Sequence, residues 1–276
     1  MKAETHAAQI DLGDAKRIKA KAHRFARLGG HLLSPLSVLI ILVFWEMAVD
    51  LGWIDRLFLA APSEIVSRGI ELFSSGEIFP HIIVSMQEGL LGFGFALIVG
   101  ILLGLVMGRV ELARRVLEPL TMALYSTPSV ALLPLFILWL DIGLWSKVPV
   151  VFLSTVFSIL LATQAGVRNC NPRLIETARA FCATDHVVFF EIILPSALPF
   201  IVTGIRIAIG RMLIAVFAAE IYASSKGIGF LIVQSGSQFD TPTLFVGVLF
   251  LTCTGVALSQ LLHFIEVRYF SRYKEH

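Results

Sequence analysis

Six ionisable side chains, Glu46, Glu88, Asp141, Arg206, Arg211 and Glu220, stand inside or beside long apolar stretches of this 276-residue chain. Charge is expensive in hydrocarbon, so each must meet an opposite charge or line a wet path used by a solute. Arg206 and Arg211 share one apolar run, where they can contact an anion or pair internally with Glu46, Glu88 or Glu220. For Arg206 and Glu220 an ion pair near the bundle centre is preferred over substrate contact. Other chemistry is thinly represented. His81, His186 and His263 have no second ligand at i+4, and Cys170, Cys182 and Cys253 are too scattered for a disulfide framework or a metal cluster. No Gly-Lys-Ser or Gly-Lys-Thr occurs, so the loop that cradles nucleotide phosphates is missing. No catalytic residue, metal or cofactor of the chain's own is expected.

These residues must be positioned by membrane helices. Hydrophobic residues make up 57% of the chain and charged ones 15%, with a mean hydropathy of +0.83, which is the composition of an all-α polytopic membrane protein. A net charge of +2 gives no reason to expect a nucleic-acid partner. A spanning helix needs about 20 apolar residues. Six runs approach that length: Leu32 to Val49, Gly89 to Met107, Leu117 to Leu140 with Pro128 and Pro134 inside, Val148 to Val167, Ile192 to Tyr222, and Leu244 to Val267. The fifth is overlong, so its start near Pro195 and Pro199 is expected at the interface or kinked.

Lysine and arginine then assign the sides. Lys2, Lys16, Arg17, Lys19, Lys21, Arg24 and Arg27 precede the first run; Arg109, Arg114 and Arg115 follow the second; Arg168, Arg173 and Arg179 follow the fourth; Arg268, Arg272 and Lys274 follow the sixth. The other loops are poor in basic residues, Lys147 standing alone between the third and fourth runs. Both termini are therefore expected in the cytoplasm. The expected organisation is a basic tail over 1–31, a transmembrane domain over 32–267 and a short tail over 268–276. The tail is too long for the charged region of a usual signal peptide. With Ile18, Phe25 and Leu28 among its cations, it reads as a helix on an anionic leaflet or as a solvated tail.

Between the fourth and fifth runs lies a polar segment with helix signals. Asn171 is a good N-cap, Pro172 suits the first helical position, and Leu174, Ala178 and Phe181 fall at i, i+4 and i+7. A short amphipathic helix is expected at about 172–183. Glu176 and Arg179, three apart, can pair, leaving small residues at Thr177, Ala178 and Ala180 for close approach by another protein. Alone, such a helix would be read as lying on the membrane surface.

The spacing from Glu176-Thr177-Ala178 through Cys182 to Ile192-Ile193-Leu194-Pro195 resembles the "EAA loop" of binding-protein-dependent ABC transporter permeases. That pattern is Glu-Ala-Ala, three residues, Gly, nine residues, Ile-x-Leu-Pro, and two positions depart from it: Thr177 replaces alanine and Cys182 replaces glycine. The glycine sits where a left-handed conformation is expected, at a cost of about 1 kcal/mol for a residue with a side chain, so the turn is expected to be strained or rearranged. The likeness covers roughly Leu57 to Arg268. It includes Ala61-Pro62-Ser63-Glu64, Gly92-Phe93, Gly104, Pro134-Leu135, Trp139, Pro195-Ser196-Ala197-Leu198-Pro199, Thr203-Gly204-Ile205-Arg206, Glu220 and Gly227-Ile228-Gly229. It looks closest to the branch importing nitrate, sulfonates and taurine. Related permeases carry arginine at Glu88 and glycine at Asp141. These two acids are read as balancing Arg211 or sitting in headgroup water rather than lining a cation-selective path.

The resemblance implies a type I ABC importer permease fold of six transmembrane helices with a cytoplasmic coupling helix, in a bacterial inner membrane. Two permease copies, two ATPase subunits that bind ATP and magnesium, and a periplasmic binding protein would complete the transporter. Arg173, Glu176, Thr177, Ala178, Arg179, Cys182, Leu194 and Pro195 would couple the permease to its ATPase. An ion-coupled secondary transporter is the alternative class, although the spans hold no repeated acidic relay.

Overall fold

The computed structural model describes residues 36–270. The expected tail over 1–31 and the last residues of the C-terminal tail lie outside the described residues. The described residues divide into two compact units, 36–66 and 67–270.

In the first unit a helix, α1, covers 36–50 and presents Leu39, Ile40, Ile41 and Phe44 outward. The part of the first run before residue 36 lies outside the described residues. A turn leads to the start of α2 (Pro62–Ser75). Glu46 accepts hydrogen bonds from the Ser63 amide at 3.0 Å and the Ser63 hydroxyl at 2.5 Å, satisfying donors that a helix start leaves open. Arg56 pairs with Asp50 at 2.9 Å and with Glu64.

The second unit carries α3 (Phe79–Arg109), α4 (Glu111–Ser126), a 3-10 turn (Ser129–Leu132), α5 (Leu133–Leu140), α6 (Leu144–Arg168), α7 (Pro172–Ala180), α8 (Asp185–Val187), a π-helical segment (Val188–Ile193), α9 (Leu194–Ala223), α10 (Ile228–Ser237) and α11 (Thr241–Phe270). Four uninterrupted helices are long and apolar enough to span: α3, α6, the continuous stretch Asp185–Ala223, and α11. The third expected run is not straight. Its two helical halves meet at an 85° bend, where Thr127 and Pro128 are extended. Pro128 cannot donate a backbone hydrogen bond and disfavours helix at the residue before it, so the chain turns there. Counted as one broken span, it brings the total to five among the described residues.

α3, α6 and α9 form the core of this unit. α3 presents Gly92, Gly100, Gly104 and Gly108, each facing one residue of α6: Val151, Ile159, Thr163 and Val167. Spacings of four or eight residues recur on both helices, so the contact runs their length. A Cβ on Gly104 would lie 2.6 Å from Thr163 Cβ and 2.7 Å from the Leu160 carbonyl oxygen. In lipid, where apolar side chains gain nothing by hiding from water, such backbone approach supplies the packing energy. α6 meets α9 in the same way, through Gly166 against Ala197 and Gly204 against Ala162.

Candidate functional site

α7 begins as the sequence dictates. Asn171 Oδ1 accepts from the Arg173 amide at 3.0 Å and Pro172 occupies the first turn. The helix lies at the end of the unit where α3 and α6 finish in Arg109 and Arg168. Its inward side is Ile175 and Ala178, packed with Ala183 on a core of Val167, Cys170, Val188 and Ile193. The expected face of Leu174, Ala178 and Phe181 is therefore not one face. Leu174 is 51% exposed and Phe181 84%, while Ala178 points inward. Phe181 is the C-cap, so counting helical periodicity through it fails. Arg173, Glu176, Thr177 and Arg179 are all exposed beside Leu174 and Phe181. Charge and apolar surface thus project together from a helix whose other side is fixed.

The turn after α7 keeps the left-handed geometry although its residue is cysteine. Cys182 has φ 57°, its amide donates to the Arg179 carbonyl at 2.9 Å, and the Ala183 amide donates to the Ala178 carbonyl at 3.0 Å. This pair of bonds closes the helix end in the manner usually entrusted to glycine. The turn is strained rather than rearranged.

Glu176 and Arg179 do not pair. Arg179 instead reaches Asp185 at 3.4 Å, which Arg109 at the end of α3 also approaches at 3.5 Å. Asp185, not singled out from the sequence, thereby links α7, α3 and the start of the helix leading to α9. Between Asp185 and Leu194-Pro195 the π-helical stretch Val188–Ile193 widens the helix, a departure that often accompanies function. Arg109 also lies 5.9 Å from the Phe189 ring centroid in that stretch.

A second polar constellation sits at the opposite end of the unit, near the starts of α3 and α6 and the end of α9. Glu220 is fully buried and accepts from the Ser85 hydroxyl at 2.5 Å and the Gly229 amide at 2.6 Å; Ser85 in turn accepts from the Ile228 amide at 2.8 Å. A Cβ on Gly227 would lie 2.4 Å from Glu220 Cδ, which explains the glycine at φ 132°. Glu88, also fully buried, pairs with Lys147, whose ammonium donates to Ser224 Oγ at 2.5 Å. Arg206 is elsewhere, paired with Glu266 of α11 at 2.5 Å. The expected Arg206 and Glu220 pair is therefore absent, and the partners span helices that sequence cannot align. Lys147 was the one legible clue, a lone cation at the head of an apolar run.

Asp141 caps α5, exposed, with φ 61° and ψ 173°, at the position the family pattern gives to glycine. Outside the spans, Arg68 donates to Thr243 Oγ1 at 2.8 Å and pairs with Glu71 at 2.7 Å; the Glu71 contact holds its guanidinium above the usual arginine range.

Residues 96–274 match the family model of the binding-protein-dependent transport system inner membrane component. The chain belongs to that family. This permease is 32% identical over 221 residues to the formylaminopyrimidine transport permease protein ThiX of Halalkalibacterium halodurans, covering 80% of this chain and 88% of that one. It is 29% identical to the taurine transport system permease protein TauC of Escherichia coli, covering 78% and 80%. The fold is that of the inward-facing MetNI methionine ABC transporter, with a TM-score of 0.54 at 21% identity over 72% of this chain and 94% of that one.

Among the openings beside α9 in the described residues, two carry an arginine. One, of roughly 630 Å³ between α9 and α11, is lined by Arg206, Thr252, Ser259, Gln260 and His263. The other, of roughly 290 Å³, lies at the α4 break and is lined by Tyr125, Thr127, Ser129, Ser154 and Arg211.

Proposed function

We propose that this permease is the membrane subunit of an ATP-driven importer for a small solute of the taurine-like class, handed over by a periplasmic binding protein. It works as two copies with two separate ATPase subunits that bind ATP and magnesium, since the chain contains no phosphate-binding loop. Both termini and α7 face the cytoplasm. Arg109, Arg168, Arg173 and Arg179 gather at one end, and Lys147 at the opposite end is neutralised by Glu88, which favours that orientation.

The observation that carries the reading is α7: an outward surface of Leu174, Phe181, Arg173, Glu176 and Arg179 on a helix fastened from behind by Ile175 and Ala178. An ATPase groove gripping that surface moves α7, and Asp185 with the π-helical stretch passes the motion to α9 through Leu194 and Pro195. Rigid packing between α6 and α9 spreads it through the bundle.

The test is Glu176→Lys in the permease co-expressed with its partner ATPase. We expect the variant to melt at the wild-type temperature, lose ATPase co-purification and lose ATP-dependent uptake. Retained co-purification together with retained uptake would overturn the assignment.

A further inference from the structure

The charges within the spans have different fates. Glu88 is matched by Lys147, Arg206 by Glu266, and Glu220 by Ser85 and the Gly229 amide. Arg211 differs: among the described residues no carboxylate lies within ion-pair distance of it. Its guanidinium donates to the Tyr125 hydroxyl at 2.9 Å and lies 5.1 Å from the Tyr125 ring centroid. Most of its N–H donors are unspent. Arg211 stands roughly 25 Å along α9 from Leu194 and roughly 18 Å from Ala223, at mid-depth of the span.

The cavity it faces has a mixed lining. It opens where α4 breaks, and the guanidinium and the side-chain hydroxyls of Tyr125, Thr127, Ser129 and Ser154 share it with Val130, Leu153 and Ile214. Ser129 and Ser154 already share a hydrogen bond of 2.5 Å across it, which joins the break to α6. Irregular backbone at membrane depth is tolerated where it lines a wet cavity. A volume of roughly 290 Å³ admits a small solute with its first waters.

We propose that this pocket is the transit site for the solute, and that the solute carries a compact oxyanion head such as a sulfonate. The inference rests on the importer reading above. An uncompensated guanidinium attracts an anion and repels a free cation, and it offers paired donors to a head with several oxygens. Tyr125, whose hydroxyl accepts from Arg211 and keeps its own proton, can donate to the same head, as can whichever of Ser129 and Ser154 is the acceptor in their shared bond; the Thr127 hydroxyl is spent on the Ala123 carbonyl. Because one cation meets one anion among neutral groups, the solute is held long enough to be selected and released when α9 moves. The buried acids do not oppose this, since Glu88 is spent on Lys147 and Glu220 on Ser85 and Gly229.

The test reads the local potential without knowing the solute. In vesicles holding the permease with its ATPase, Ser154→Cys is treated with sulfonatoethyl or trimethylammonioethyl methanethiosulfonate, and modification of that site is followed by mass spectrometry. Rates are normalised to those with a small free thiol. We expect the anionic reagent to react about tenfold faster than the cationic one, Arg211→Gln to abolish the preference and Arg211→Lys to keep it. Methanesulfonate at millimolar concentration should slow the anionic reagent in the Arg211 form and not in Arg211→Gln. Equal rates, the result if a carboxylate of the second copy neutralises Arg211, overturn the proposal, as does failure of either reagent to reach Cys at 154. ATP hydrolysis in the same vesicles separates the two readings. Normal hydrolysis with no charge preference removes the anion site alone, whereas a chain that binds no ATPase removes both.

Discussion

Lys147 of α6 is ion-paired with Glu88 of α3, and both side chains are withdrawn from solvent, at 3% and 0% exposure. Removing one partner leaves a bare charge in a site that cannot hydrate it. Lys147→Met is expected to destabilise the permease by about 3–5 kcal/mol, and Glu88→Lys by at least as much, because two ammonium groups would then face each other. The combined Glu88→Lys/Lys147→Glu variant should recover most of the loss. Thermal unfolding in detergent, arranged as a double-mutant cycle, checks this; additive effects would mean that the pair is not energetically coupled.

The glycine contacts along α3 give a sharper contrast. Gly104→Ala places a methyl group 2.6 Å from Thr163 Cβ, so the helices must separate, at a cost of about 1–3 kcal/mol. Gly94→Ala meets nothing within 4 Å and should be neutral or stabilising by up to about 1 kcal/mol through helix propensity. The melting temperatures of the two variants should move in opposite directions or differ clearly. Equal shifts would argue against the close contact.

Three described non-glycine residues, Asp141, Cys182 and Phe239, hold backbone conformations that suit glycine. Cys182→Gly should stabilise by about 1 kcal/mol, and Asp141→Gly, at φ 61° and ψ 173°, by about 1–3 kcal/mol. Cys182→Val should lower stability and loosen ATPase binding together, since the turn sets the direction in which α7 is presented. If Cys182→Gly left stability, docking and transport all unchanged, the turn would not be under constraint.

Asp185 is 74% exposed, so its contacts with Arg109 and Arg179 add at most about 1 kcal/mol to stability. Their effect should be on coupling instead. Asp185→Asn is expected to retain the wild-type melting temperature and ATPase co-purification while importing less solute per ATP hydrolysed. Uptake and phosphate release measured in the same vesicles give that ratio, and an unchanged ratio would remove Asp185 from the transmission route.

Local signals were readable wherever a residue's own chemistry decides the outcome. Asn171 and Pro172 start α7 where expected, and apolar length located α3, α6 and α11. Direction was not readable: hydropathy is the same for a straight helix and for one bent by 85°, so the run with Pro128 and Pro134 inside it gave no angle. α10 is only ten residues long and fell below any spanning criterion. Partners were hidden for a different reason. Arg206 and Glu266 are sixty positions apart, and only the packing of α9 beside α11 brings them together. The face of α7 failed on one residue, because Phe181 ends the helix rather than continuing its stripe.

The glycine seam between α3 and α6 leaves those two helices no freedom to slide. Backbone fills the space where side chains would otherwise yield, so the pair behaves as a keel. A keel does not flex, and whatever opens this path must bend elsewhere. Two departures from regular α-helix in the second unit are the widened π-helical coil before Leu194 and the elbow at Thr127 and Pro128. Spin labels on α3 and α6 would therefore report one unchanging distance through the whole cycle, while labels on either side of those two joints would report the working stroke.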